Sequence, residues 1–298
     1  MRRQHSRGPD GLILGDTVSF RVEVATDINT CALTVPIQQE IWSGDVIVPP
    51  QLLLATVHNG GFVAIGYVDG DLRPAGFVFG FLGIYDYHFR HHSHMLAVRP
   101  EHRGSGLAVG LKEAQRDHCL DQGIEIMAWT TDPLEALNAR FNFGKLGAYA
   151  REYHRDFYGD MPDQLNAGLP SDRFYVEWAI GTDRTYKRLR GDDQPAALED
   201  ALHEDIRLLL RSDGDRPVLA EPPAGESHLL VEIPADFQGV KRRDASLALE
   251  WRIAARAAFE GAFSQGYAAV EFLRGENGRG AYLLVPQPRR GDPGETAE

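Results

Sequence analysis

Six residues constrain this chain most: Arg103, Gly104, Ser105, Gly106, Leu107 and Ala108. They follow HSHMLAV, whose alternation predicts a strand. They open LAVGLKEAQRDHCLDQG, where Leu107, Leu111, Ala114 and Leu120 recur near the helical period until Gly123 stops it. Glycine removes the side chain where backbone must approach a ligand. Successive N–H groups at a helix start, aided by the helix dipole, hold a phosphate or diphosphate. A diphosphate-containing ligand is the natural inference, although such turns also serve as plain connections.

The elements around that turn are mixed α/β, here an α+β order of strands and helices. VSFRVEV predicts a strand and INTCALTVPIQQEIW a helix broken or kinked at Pro36. PPQLLLATVHNG carries helix start and stop signals, and FVAIGYVDGD with RPAGFVFGFLGI predicts a hairpin turning at 69–71. IEIMAWT, PLEALNARFNFGKLG and RFYVEWAI predict strand, helix and strand. Beyond Ile180, GTDRTYKRLRGDDQP reads as a polar linker. A second unit then follows with strand HLLVEIP, a long helix over DASLALEWRIAARAAFEGAFSQG, and a closing strand pair, AAVEFLRG and GAYLLV. The expected organisation is a flexible tail at 1–16, a catalytic domain at 17–182, a C-terminal α/β domain at 183–288, and a flexible tail at 289–298.

Composition narrows the function. A formal net charge of -12 over 298 residues repels polyanions, which excludes nucleic acid as an expected partner. Two distant cysteines, Cys31 and Cys119, argue against a disulfide framework and a cysteine-rich zinc site, and fit a reducing cytoplasm. No apolar leader or membrane-length stretch is read, so membrane association is not expected.

AVRPEHRGSGLA resembles the acyl-CoA loop of GNAT acyltransferases, R/Q-x-x-G-x-G/A, matched by Arg103, Gly106 and Ala108. The element order over roughly 17–180 is similar to that family as well. The resemblance implies a GNAT fold, a mixed sheet flanked by helices with a C-terminal α/β extension. It implies acetyl-CoA or another acyl-CoA as co-substrate, with no metal. The amides of Gly104, Ser105, Gly106, Leu107 and Ala108 would hold the diphosphate, and the backbone of Leu96, Ala97 and Val98 would lie along pantetheine. NARFNFGKLGA resembles the family's second CoA segment, with Asn138 and the KLG turn retained. Phe143 stands where that segment usually carries the tyrosine that protonates the leaving thiolate, and a phenyl ring cannot do so. HSHM, DPLEALNARFN, FYGDM, GLPSDR and the C-terminal half are similar to a bacterial GNAT subfamily with relatives linked to N-succinylation of amino acids.

His92 and His94, two apart on a strand, send their side chains from one face. Histidine suits deprotonation of an amine acceptor. HSHMLAV also resembles the H-x-H-x-L-A-V strand of aralkylamine N-acetyltransferases, whose histidines are implicated in that step. Two further readings stay open: a hydrogen-bonded or exposed pair in a patch with His88 and His91, and a metal pair lacking a third ligand. Tyr149, Tyr153 and Tyr158 are candidate general acids, Tyr153 foremost, each with a structural alternative. Arg173 could pair with a carboxylate on the acyl group or acceptor, or serve as an ion-paired surface residue. The expected activity is direct transfer of an acetyl or succinyl group, in a ternary complex, to a small-molecule amine, an amino acid among the candidates. A CoA-binding interaction module is the alternative. Exposed strand edges would permit a homodimer.

Overall fold

A computed structural model of the chain describes residues 19–42, 47–159, 168–221 and 225–287. The tails expected at 1–16 and 289–298 lie outside them. Contacts group the chain into two compact units, Met1–Met127 and Ala128–Glu298.

The first unit carries β1 (Phe20–Val24), α1 (Ile28–Ala32), α2 (Thr34–Trp42), α3 (Pro50–Val57), β2 (Phe62–Val68), β3 (Gly76–Tyr85), β4 (His88–Val98) and α4 (Leu107–Asp121). Its strands run in the order β1, β2, β3, β4, with antiparallel neighbours. The kink expected at Pro36 appears as a break between α1 and α2. Pro36 then lies in the first turn of α2, where a missing N–H costs nothing. Apolar side chains on one sheet face, Ile65, Phe77, Phe79 and Ala97, bury Cys31, Ile37 and Leu53 of the three short helices. On the other face, Ala64, Val78, Leu96 and Val98 receive Leu107 and Leu111 of α4. The β3–β4 hairpin closes through Asp86 and Tyr87, both at positive φ (50° and 63°), as a primed turn requires.

The second unit carries β5 (Ile126–Thr131, whose first two residues belong to the first unit), α5 (Ala136–Ala139), β6 (Tyr149–His154), β7 (Arg173–Ala179), α6 (Asp183–Arg190) and α7 (Leu198–His203). It continues with β8 (Arg207–Asp213), β9 (Arg216–Leu219), β10 (Leu229–Ile233), α8 (Phe237–Arg243), α9 (Ala245–Ser264), β11 (Tyr267–Arg274) and β12 (Gly280–Pro286). Strand order is β5, β7, β6, β11, β12, β10, β8, β9, a large mixed sheet with β8 and β10 parallel. The pairing of β11 with β6, at Ala269 and Ala150, carries the sheet straight into the C-terminal strands.

Two expectations change. The stretch read as a linker holds α6, capped by Thr182 at its start and by Gly191, φ 82°, at its end. The helix expected over 133–147 is realised only as the four-residue α5 followed by a six-residue π-helical turn, Arg140–Lys145. Phe143 fixes that turn, fully buried edge-on against Phe174 and Tyr282.

Candidate functional site

The glycine turn and α4 form the first half of the candidate site. Gly104 and Gly106 hold φ of 83° and 86°, which L side chains avoid. Gly106 is the N-cap of the 15-residue α4 and itself offers no capping side chain, and no acidic residue lies in its first turn. The space where a Cβ of Gly104 would stand is open. The open position at Gly104 and the positive end of a long helix fit a diphosphate, while the Ser105 amide donates to His102 O at 3.4 Å. Ser105 Oγ accepts from the Leu107 amide at 3.3 Å, and Arg103 Nε reaches Val98 O at 3.5 Å. Ala108 stands in the first turn of α4. Arg99 anchors the base of the loop, gripping Glu40 through Nε (2.6 Å) and Nη2 (3.1 Å). Leu96 and Val98 pack their side chains toward α4 and Ala97 packs toward the other face, so these residues offer a ligand only their backbone.

The second half is β4 upstream of the loop. Its register against β3 shifts by one, Met95 pairing with Phe79 and Ser93 with Gly80, so His94 is an extra, bulged residue. The bulge reverses parity. Downstream, Met95 and Ala97 share the face of Phe77 and Phe79; upstream, His92 and His94 meet that same row. Their ring centroids lie 6.0 Å apart, with Phe81 at 5.1 Å from His92 and 5.8 Å from His94. Desolvation, then His94 and Lys112, push His92 down to about 4, and desolvation lowers the more exposed His94. Both rings are neutral near pH 7 and can accept a proton. Among the described residues no cluster of three or more His, Cys, Asp or Glu could hold a metal.

The remaining sequence candidates lie in the second unit. Asn138 is exposed on α5. Phe143 is core, with no exposed surface to offer a cofactor. Tyr153 donates from its hydroxyl to Asp172 Oδ2 at 2.7 Å, and burial, followed by the Asp172 charge, raises it well above an ordinary phenol. Such a phenol gives up its proton reluctantly. Tyr149 lies at the start of β6, and Tyr158 shares a hydrogen bond with Thr130 at 2.8 Å. Arg173 donates to Asp172 O at 2.8 Å, approaches Asp132 at 3.6 Å and lies over the Tyr158 ring at 5.4 Å.

Two groupings escaped the sequence analysis. Lys112, Gln115, Ser93 and His91 form a buried polar chain between α4 and β4. Its signal was available: Gln115 occupies the buried stripe of Leu107, Leu111 and Cys119 at four-residue intervals. Arg252, Arg256 and Glu260 of α9 grip Asp132, Asp172 and Arg155. The matching four-residue spacing was legible, but its partners lie 84 to 120 residues away.

Residues 35–147 match the acetyltransferase (GNAT) family. Solved structures share this likeness at low identity. Escherichia coli ribosomal-protein-S18-alanine N-acetyltransferase is 13% identical, covering 55% of this chain and 96% of its own at a TM-score of 0.43. Arabidopsis thaliana Naa50, in complex with a bisubstrate analogue, is 16% identical, covering 54% and 98% at 0.43. Salmonella typhimurium yncA, with its cofactor acetyl-CoA, is 19% identical, covering 55% and 95% at 0.41. No curated protein sequence matches the chain.

Proposed function

We propose that the chain is an acyl-CoA-dependent N-acyltransferase that moves an acetyl or succinyl group to the amine of a small molecule such as an amino acid. The observation that carries this is the left-handed glycine turn at the N-terminus of α4, directly downstream of the strand bearing His92 and His94. Bound acyl-CoA would supply an activated thioester. The amides of Gly104, Ser105, Gly106, Leu107 and Ala108 would hold its diphosphate, and the backbone of Leu96, Ala97 and Val98 would align it.

His92 and His94, neutral and on one face, take the ammonium proton of the acceptor directly or through water; transfer is direct, with both substrates bound. His94 is the more exposed of the two and is lowered by desolvation alone. Tyr153 is better suited to holding Asp172 than to donating its proton, and the thiolate is then protonated by solvent. Arg173, at the start of β7, is the candidate for a carboxylate on the acyl group or acceptor.

The burial of Phe143 where the family places an acid favours a second reading, a CoA-binding module without turnover. Thiol release from acetyl-CoA and succinyl-CoA, measured across amines and D- and L-amino acids, decides between them. Acceptor-dependent release that falls by about 10²-fold or more in a His92→Ala, His94→Ala double variant supports the transferase. CoA binding without release on any acceptor supports the module.

A further inference from the structure

A lysine inside a sheet-and-helix interface is costly unless it does something there. Lys112, on α4, is 2% exposed and faces the underside of β4, opposite the face that carries His92 and His94. Its Nζ donates to Ser93 Oγ at 2.9 Å and to Gln115 Oε1 at 3.4 Å. Ser93 Oγ donates in turn to Gln115 Oε1 at 2.8 Å, and Gln115 Nε2 meets His91 Nε2 at 3.0 Å. Ser93 is the residue at which the β4 register shifts, and His94 is the residue the shift leaves over. The strand opposite makes room for this chain: Gly80 pairs with Ser93, and a Cβ there would collide with His91 Nε2 and Gln115 Nε2.

We propose that Lys112 is a positioning residue, which through Ser93 clamps the β4 bulge and so sets the place of the His94 imidazole beside His92. The inference rests on the acyltransferase reading for its consequence, and on geometry alone for the clamp. A classic bulge puts two successive residues on one face only while its backbone stays kinked. Without the clamp, the strand can slip into regular alternation and turn His94 to the other face. The clamp and the diphosphate turn are also carried by one helix, Lys112 lying six residues after Gly106, so a single rigid element fixes both halves of the site.

The groups that bear on Lys112 include Ser93, His91 and His92 from β4, and Gln115 and Cys119 from its own helix. Burial pushes the lysine down to about 7. Replacing it with an apolar side chain of similar length removes the hydrogen bonds to Ser93 and Gln115.

The experiment follows the imidazole resonances of His92 and His94 by NMR in the full chain, in Lys112→Met and in Ser93→Ala, beside thiol-release kinetics and CoA affinity. The clamp predicts that both variants move the His94 resonances and lower kcat by about 10²-fold with CoA affinity unchanged, because a misplacement near 1 Å costs that much. It also predicts that the double variant is no worse than either single one, as coupled residues behave. Unmoved His94 resonances in a folded Lys112→Met or Ser93→Ala protein overturn it. Should Lys112→Met fail to fold, Ser93→Ala carries the same readout. Moved resonances in a protein whose turnover survives His92→Ala, His94→Ala uphold the clamp and refute the histidine base instead.

Discussion

Protonation of single buried residues sets how this fold answers pH. Burial holds Lys112 near 7 against its ordinary 10.5. Between those values the unfolded chain carries a proton that the native one lacks, so stability rises with pH across that window and is lost as pH falls toward 7. His91 and His92, pushed from 6.5 to about 3 and about 4, mainly by desolvation, extend the same sign below pH 6.5. Carboxylates such as Glu40, held low by Arg99, share that acidic window, whereas between 7 and 9 the lysine dominates. Above 9 the Cys119 thiol, pushed up to about 12, opposes it. Denaturant melts at pH 7, 8 and 9 are expected to gain roughly 1 kcal/mol per pH unit. Lys112→Met is expected to flatten that slope; a slope of zero in the parent chain would show the lysine to be charged throughout.

At the scale of elements, helix α9 does more than cover the sheet. Arg252, Arg256 and Glu260 recur every four residues along one stripe, and each takes a charged partner beside a strand end: Asp132 after β5, Asp172 before β7, Arg155 after β6. Asp172 is fully buried and accepts from Arg256 Nε and Nη2, both at 2.9 Å, as well as from Tyr153. Burial raises it, but these hydrogen bonds hold the carboxyl below its ordinary value. Arg256→Ala strands that charge, and the expected cost in chemical denaturation is about 2–3 kcal/mol, partly recovered by adding Asp172→Asn. In Asp172→Asn alone, the Tyr153 phenol should titrate closer to an ordinary tyrosine; an unchanged ultraviolet titration would place the cause in burial only. Helix α9 was legible because Leu247, Trp251, Ala258 and Ala262 recur along one buried face. The ion pairs were not, since periodicity reports which face is buried and says nothing of the partner. Local signals also located the glycine turn and the His92–His94 face. They missed β6, β8 and β9, where charged residues interrupt the apolar alternation, and the bulge, which is a property of two strands together.

The whole molecule raises the question of what the C-terminal third is for. Composition puts a boundary near residue 182, but the sheet of the second unit crosses it, because β11 pairs with β6. Side chains from both sides of that position fill one aromatic core: Phe143, Tyr153 and Phe174 meet Phe259, Phe263 and Tyr282 at centroid distances between 4.6 and 6.2 Å. Tyr282 also donates from its buried hydroxyl to Pro133 O at 2.9 Å. A fragment ending at 182 would expose fully buried Phe143 and Phe174 and the β6 edge. At about 1.5–3 kcal/mol per large apolar side chain, a few such losses match the entire stability of an ordinary domain. The fragment is therefore expected to aggregate, through that apolar edge, under conditions where the full chain is soluble. Co-expression with 183–288 should return it to solution if the two pieces share a core. Sedimentation of the fragment alone, with amide dispersion in its NMR spectrum, checks this. A monodisperse fragment with native dispersion and CoA affinity would mean that the C-terminal third is an addition to a finished fold.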